Sequence, residues 1–424
     1  MRLLLEETLY RLVWLVVIPV LPARLLWRGL KEPGYLHHWA ERFGGGAAVS
    51  GHPVWIHAVS VGEMRAAAPL VFALRSRYPG IPILLTCMTA TGRDAAYRVY
   101  GDAVVVQYAP YDYPRAVKRF LRRNHPRLVV VMETEIWPVM VSVCDSIGIP
   151  IYLANARLSA KSARGYGRVA TLMRATLGKF AAIAAQYQDD ARRLETLGAR
   201  KVVVTGSLKF DLPPAQSQID QGRWWRQTWG SDRPVILAAS TREGEEELIL
   251  KAFAAHAPES WLLVLVPRHP QRFDEVAALI AKASLCYQRR SQELRVSEAT
   301  RVMLGDTMGE MISYYGSSDI AFIGGSLLPY GGQNLVEAMA CGVPVLMGPH
   351  MYNFTHIAAM AEAHGAARRI NDADGLIATA RDLIQDKRAR ETMSADALKF
   401  AQANRGAIEK LLAVMSRDLD QRVN

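Results

Sequence analysis

Cysteine is scarce in this chain. Four occur in 424 residues, Cys87, Cys144, Cys286 and Cys341, and none stands in a C-x-x-C pair. That excludes a disulfide framework and a thiolate zinc site, and it fits a reducing compartment. No group of His, Asp and Cys has metal-ligand spacing, so no metal is expected. Glycine (31) and proline (21) follow no period, which excludes collagen-like and solenoid architectures. Recognition-helix motifs and aromatic-basic platforms are missing, so nucleic acid is not an expected partner. A long apolar run is missing too. The N-terminal candidate, residues 12–23, lies between Arg11 and Arg24 and holds Pro19 and Pro22. It is shorter than the ~20 residues a spanning helix needs. Glu6 and Glu7 and the lack of a small-x-small site argue against a cleaved signal.

What is present is ordinary globular material, with 50% apolar and 21% charged residues. The length suits two or three domains. Charge is divided unevenly. Residues 1–212 carry 28 basic against 15 acidic side chains, and residues 213–424 carry 23 against 25. The first half therefore suits an anionic surface or a phosphorylated substrate, and the second does not. Trp14, Arg24, Trp27, Arg28 and Lys31 flank the apolar run as headgroup-region residues do. The expectation is a membrane-surface or partly inserted anchor, against the alternative of a buried N-terminal helix.

From residue 53 onward short apolar runs alternate with helix-like stretches. Strands are expected at 54–59, 83–87, 103–107, 128–132, 149–154, 181–185 and 202–205, with helices between them, one spanning 64–75. Continuous apolar strands between helices indicate a parallel sheet covered on both faces. The polar stretch 211–218 marks a boundary, after which the alternation restarts at 235–239, 261–266, 320–323 and 343–347. The expected fold is α/β, with two doubly wound Rossmann-like domains. The expected limits are an anchor at 1–30, domains at 31–212 and 213–402, and an amphipathic terminal helix at 403–424.

Chemistry-bearing residues gather at expected strand ends. Glu63 follows a strand and Gly62, where it is either a general base or a helix cap. Glu133 and Glu135 follow the next buried strand, near Asn155, Arg157 and Ser159. Lys209 is either a phosphate partner or a solvated linker residue. Arg268 and His269 end a very apolar run and favour phosphate or nucleotide binding. Gly331 and Gly332 precede Asn334 and a helix expected over 334–341 that carries Glu337. Their amides and the helix start would hold an anion, and Glu337 would accept from sugar hydroxyls. The basic stretch with Arg115, Lys118, Arg119, Arg122 and Arg123 is a solvated face or a contact for an anionic partner.

The ordered set WIHAVSVGE, MTATGR, ETEIWP, NARLS, GSLKFD, VPRHP and GGQNLVEAMACGVPVLMGPHMYNF resembles the lipid A Kdo transferases of Gram-negative bacteria. The likeness covers nearly the whole chain. It implies a GT-B fold, two Rossmann-like domains facing across a cleft, with an N-terminal membrane-associated helix. It implies an inverting glycosyltransferase that moves Kdo from CMP-Kdo to a lipid A precursor at the cytoplasmic face of the inner membrane. Neither a cofactor nor a metal is implied. Glu63 matches the family's base, and Glu133 and Lys209 match positions credited with transition-state support. Arg268, His269, Gly309, Glu310, Met311, Asn334, Leu335, Val336 and Glu337 match CMP-binding positions. The family often shows His-Asn-Pro-Leu-Glu where this chain has Gln333-Asn-Leu-Val-Glu337. The competing readings are another GT-B nucleotide-sugar transferase or epimerase, and a non-enzymatic basic membrane scaffold.

Overall fold

The computed structural model describes residues 2–293 and 296–420. Met1 and residues 421–424, at the ends of the expected anchor and terminal helix, lie outside the described residues. The chain divides into two compact units, Met1–Leu212 with Arg405–Asn424, and Pro213–Asn404.

The first unit holds β1 (Val54–His57), β2 (Ile83–Cys87), β3 (Val105–Tyr108), β4 (Leu128–Met132), β5 (Ile151–Ala156), β6 (Ala182–Ala185) and β7 (Val202–Val204). They form one sheet in the order β3-β2-β1-β4-β5-β6-β7, with every pairing parallel. β1, β2, β4, β5 and β6 are buried at every position, as strands covered by helices on both faces must be. The chain first runs outward from β1 to β3, then restarts at β4 beside β1. Ligands in such sheets bind outside the carboxyl ends of the strands at this reversal.

The second unit repeats the plan. It holds β8 (Val235–Thr241), β9 (Leu262–Pro267), β10 (Tyr287–Arg289), β11 (Val302–Leu304), β12 (Ile320–Ile323), β13 (Val345–Met347) and β14 (Ala367–Arg369). The order is β10-β11-β9-β8-β12-β13-β14, again all parallel, and it reverses between β8 and β12.

Local differences from the sequence reading have simple causes. The helix expected at 64–75 is two helices, Val61–Ala66 and Ala68–Arg77, because Pro69 supplies no amide to continue the first. Short edge strands β10 and β14 hold only three residues each and gave no apolar run to read. The terminal amphipathic helix starts at Ala407, after a separate helix Lys387–Ala403. Its Ile408, Leu411, Leu412, Met415 and Leu419 pack into the core of the first unit. Asp211 holds its start, accepting from Gly406 N at 2.6 Å and Ile408 N at 2.5 Å.

At the N-terminus the helix Arg2–Val17 passes through a 3₁₀ turn at Ile18–Val20 into the helix Leu21–Gly29. The stretch Leu5–Gly29 contains an 18-residue window of mean hydropathy 1.8 and is long and apolar enough, by length and composition, to cross a membrane. The twelve-residue run underestimated it because Pro19 is taken up by the turn and helix continues on both sides. One face docks on the first unit. Tyr10 OH donates to Asp112 Oδ2 at 2.7 Å, Leu172 N donates to Glu6 Oε2 at 2.7 Å, and Trp14 packs against Tyr111. Leu5, Leu9, Leu12, Val13 and Val16 are exposed by 50–71%.

Candidate functional site

In the first unit the chemistry collects at the carboxyl ends of β1 and β4, on either side of the reversal. Ser60 caps the helix after β1, accepting from Glu63 N at 3.3 Å, and Glu63 Oε2 accepts from Val59 N at 2.6 Å. This reciprocal arrangement is a capping box, so the helix-cap reading of Glu63 is correct as far as it goes. It does not exhaust the residue. Glu63 is buried, and burial together with the charges of Glu135 and Glu133 pushes its carboxyl up to about 8, against opposing bonds from Val59 and Ser60. Oε2 makes the cap, and a carboxylate still has lone pairs at Oε1 for a proton.

Glu133 follows β4 with φ of 55°, in the left-handed region where a side chain is disfavoured by roughly 1–2 kcal/mol. Its amide donates to Ala154 O at 2.9 Å, which fixes that turn against β5. Asn155 on β5 has φ of 54°. Its Oδ1 accepts from Leu208 N at 3.2 Å and its carbonyl accepts from Gln186 Nε2 at 2.9 Å. Asn155 thus ties the strand end to the turn Leu208–Phe210 that carries Lys209. Burial pushes the Lys209 amine down and the Arg157 charge adds to this, while Glu133 opposes both. Glu63, Glu133, Glu135, Arg157 and Lys209 therefore form one electrostatic group. Trp137 was not singled out from the sequence. Its Nε1 donates to Glu135 Oε2 at 2.8 Å, and its ring meets His57 edge-on at 4.5 Å. His57 is fully buried, and burial pushes it down to about 3.

In the second unit Arg268 and His269 follow β9, as expected. Arg242, missed in the sequence, follows β8 and packs over the Tyr330 ring at 4.5 Å. Burial and then Arg242, Arg268 and Arg272 push His269 below its ordinary value, so these cations share one neighbourhood. Two fully buried acids support it. Glu245 accepts from Arg242 N at 2.8 Å, Gly325 N at 2.6 Å and Leu327 N at 2.9 Å. Glu246 accepts from Thr241 Oγ1 at 2.8 Å and Arg272 Nη1 at 2.7 Å. Both read as ordinary first-turn acids in the sequence, so no signal separated them. Gly324 is required by space, because a Cβ there would lie 2.5 Å from Ser240 O.

The glycine segment differs from its expected role. Gly332 N and Gln333 N donate to Gly325 O and Gly324 O at 2.7 and 3.0 Å, so these two amides close a loop instead of pointing at an anion. The helix is Val336–Ala340, five residues long, and too short to supply a substantial dipole. Asn334 Nδ2 donates to Glu337 Oε1 at 3.0 Å, and Glu337 is exposed. Leu335 and Val336 are buried. Gly309 O accepts from Gln218 Nε2 at 2.6 Å, Glu310 pairs with Arg290 at 2.9 Å, and Met311 begins a short helix. Among the described residues, no group of three or more His, Cys, Asp or Glu is placed to hold a metal ion.

A family model described as 3-deoxy-D-manno-octulosonic-acid transferase matches residues 37–212, and one described as glycosyl transferases group 1 matches residues 243–400. A 3-deoxy-D-manno-octulosonic acid transferase of Bordetella pertussis is 44% identical over 371 residues, 85% of this chain and 86% of that one. One from Haemophilus influenzae is 39% identical over 402 residues, 93% and 94% of the two chains. A solved UDP-GlcNAc 2-epimerase from Neisseria meningitidis, bound to UDP-GlcNAc, is 16% identical with TM-score 0.59, covering 86% of this chain and 100% of its own. That last likeness concerns the two-unit GT-B fold alone. With relatives this similar over this much of its length, and the family's own model on its first unit, the chain belongs to the 3-deoxy-D-manno-octulosonic acid (Kdo) transferases, a family of glycosyltransferases.

Proposed function

We propose that the chain moves Kdo from CMP-Kdo to a hydroxyl of a lipid A precursor, with inversion at the anomeric carbon. The observation that carries the reading is a buried carboxylate in the helix that follows β1, raised to about 8 by burial and then by neighbouring acids, in a chain of this family. A sugar hydroxyl is a weak nucleophile, and a base whose pKa lies near the working pH is the most effective at removing its proton. Glu63 takes that proton as the hydroxyl oxygen bonds to the anomeric carbon. The bond from that carbon to the CMP phosphate oxygen breaks, and its electron pair leaves with CMP. One displacement inverts the centre and needs no enzyme nucleophile.

Negative charge grows on the leaving phosphate, and fixed cations aimed at it lower the barrier. In the second unit Arg268, His269 and Arg242 supply such a neighbourhood, and Glu337 with Asn334 offers acceptors for sugar hydroxyls. In the first unit Lys209, beside Glu133, supports the charge changes around the base. Because the leaving group is a phosphate already met by cations, the scheme invokes neither metal nor cofactor. The exposed apolar residues of the N-terminal helix and the cations of Pro114–Asn124 support attachment to the cytoplasmic surface of the inner membrane.

The test is incubation with CMP-Kdo and a lipid A precursor, with products resolved by mass. A product heavier by one or more Kdo units is expected. Turnover of UDP-sugars with none of CMP-Kdo would overturn the donor assignment, and failure to turn over any nucleotide sugar would overturn transfer itself.

A further inference from the structure

A cavity of about 240 Å³ opens in the first unit, and Glu63, Glu133 and Glu135 are not among its lining residues. Four helices line it: Arg2–Val17, Pro114–Asn124, Pro138–Ser146 and Ala170–Leu177, with Lys179 just beyond the last. It is smaller than the ~300–1,000 Å³ of sites for drug-sized molecules, and it is the right scale for a headgroup. Its charged lining is Lys118, Lys179 and Glu7. Lys179 Nζ donates to Ser142 Oγ at 2.7 Å, which orients the Ser142 hydroxyl to donate in its turn. Two cations and a hydroxyl suit a phosphate, and the carboxylate beside them suits an amine.

The same N-terminal helix that borders the cavity through Glu7 and Tyr10 exposes Leu5, Leu9, Leu12, Val13 and Val16 elsewhere on its surface. A helix with side chains is about 10–12 Å across, so a group in the cavity lies within one helix width of that apolar surface. Arg115, Lys118, Arg119, Arg122 and Arg123 line the exposed side of the neighbouring helix. Polar cavity, apolar face and basic rim together describe the surroundings of a lipid at the level of its headgroup.

We propose that this cavity seats the headgroup of a zwitterionic phospholipid, its phosphate on Lys118 and Lys179 and its ammonium on Glu7. The site rests on the membrane attachment read above and sharpens it, from diffuse attraction to recognition of one headgroup. Glu7 decides between headgroup types. A purely anionic headgroup meets two lysines but also a carboxylate, whereas a phosphoethanolamine group matches all three charges.

The test titrates the full-length chain in detergent with dihexanoyl phosphatidylethanolamine, its phosphatidylglycerol counterpart and inorganic phosphate, by calorimetry. The unaltered chain is expected to bind one ethanolamine lipid in preference to the glycerol lipid. K118A and K179A should each weaken it about tenfold, as loss of a charge-assisted bond does. E7Q should erase the preference between the two lipids, and K251A, at an exposed lysine of the second unit, should change neither binding nor preference. Equal binding by the K118A/K179A double variant, an unchanged preference in E7Q, or phosphate binding as tightly as lipid would each overturn the site. Sedimentation with vesicles separates the two readings. A chain that pellets but shows no titratable site keeps its membrane attachment and loses this proposal, and a chain that never pellets loses both.

Discussion

Trp137 Nε1 donates to Glu135 Oε2 at 2.8 Å, and Glu135 is one of the two acids whose charge raises the Glu63 carboxyl. The bond favours the Glu135 anion, although burial still lifts that carboxyl above its ordinary range. The Glu135 anion in turn disfavours the Glu63 anion. The Trp137 indole thus acts on the base through one intervening carboxylate.

The pH profile of transfer reports this chain of effects. Glu63 must be ionised to act, so kcat/KM should rise with pH through about 8. Removing the Glu135 charge in Glu135→Gln takes away one upward push, and the limb should move to lower pH. Trp137→Phe withdraws the bond that keeps Glu135 anionic, and should move it in the same direction. Burial is the largest cause and stays in both variants, so the limb should remain above the ordinary carboxylate range. A limb that moves upward in either variant contradicts the scheme.

Glu63→Gln separates chemistry from folding. Transfer should fall by ~10²–10⁴, the usual worth of a general base, with CMP affinity unchanged. The folded chain holds a proton on Glu63 between pH 4.5 and about 8 that the unfolded chain has shed. Stability therefore declines as pH rises through that window, and it declines less in the Gln variant. Thermal melts at pH 5 and pH 8.5 check this. Normal turnover would remove Glu63 from the mechanism.

The sequence made the architecture legible where burial leaves an unbroken mark. β4 and β12 are continuous apolar runs, β1 and β8 are apolar but for His57, Ser240 and Thr241, and the reversals between β1 and β4 and between β8 and β12 appear in the strand order. Glu133 and Arg268 could be found because each directly follows such a run, and Glu63 and Lys209 because each stands a few residues past a strand end. Glu245 and Glu246 could not, since acids in a first helical turn are favoured wherever a helix starts. Trp137 was invisible for a similar reason: its value lies in a contact with Glu135 and His57 that spacing does not encode. The glycines at 331–332 were legible as a turn, but where the amides of Gly332 and Gln333 point depends on the carbonyls of Gly325 and Gly324, a pairing that spacing does not encode.

Asp211 offers a test of how the terminal helix is held. Its two carboxylate oxygens take the amides of Gly406 and Ile408 at the start of that helix, across nearly two hundred residues of chain. Asp211→Ala should lose about 0.5–2 kcal/mol, the range for a lost cap, in denaturant unfolding. The loss should appear in the transition of the first unit, because the helix packs into that core. An unchanged midpoint would mean that the apolar face of the helix suffices.

Glu337 and Glu245 bear on nucleotide binding in different ways, and comparing them tests the donor assignment. Glu337 is exposed and held by Asn334, so Glu337→Ala removes an acceptor without disturbing the core. CMP affinity should drop roughly 10- to 100-fold, the equivalent of about 1.5–3 kcal/mol for a lost charge-assisted bond, with the melting temperature unchanged. Glu245 is buried and gathers three loop amides from the ends of β8 and β12. Glu245→Gln replaces an accepting oxygen with a donor facing those amides, and should weaken CMP and lower the melting temperature together. Calorimetric titration with CMP beside a thermal melt reads both quantities. Equal CMP affinity in Glu337→Ala would move the sugar acceptor elsewhere, and a Glu245→Gln chain as stable as its parent would show that the loop is held by something other than that carboxylate.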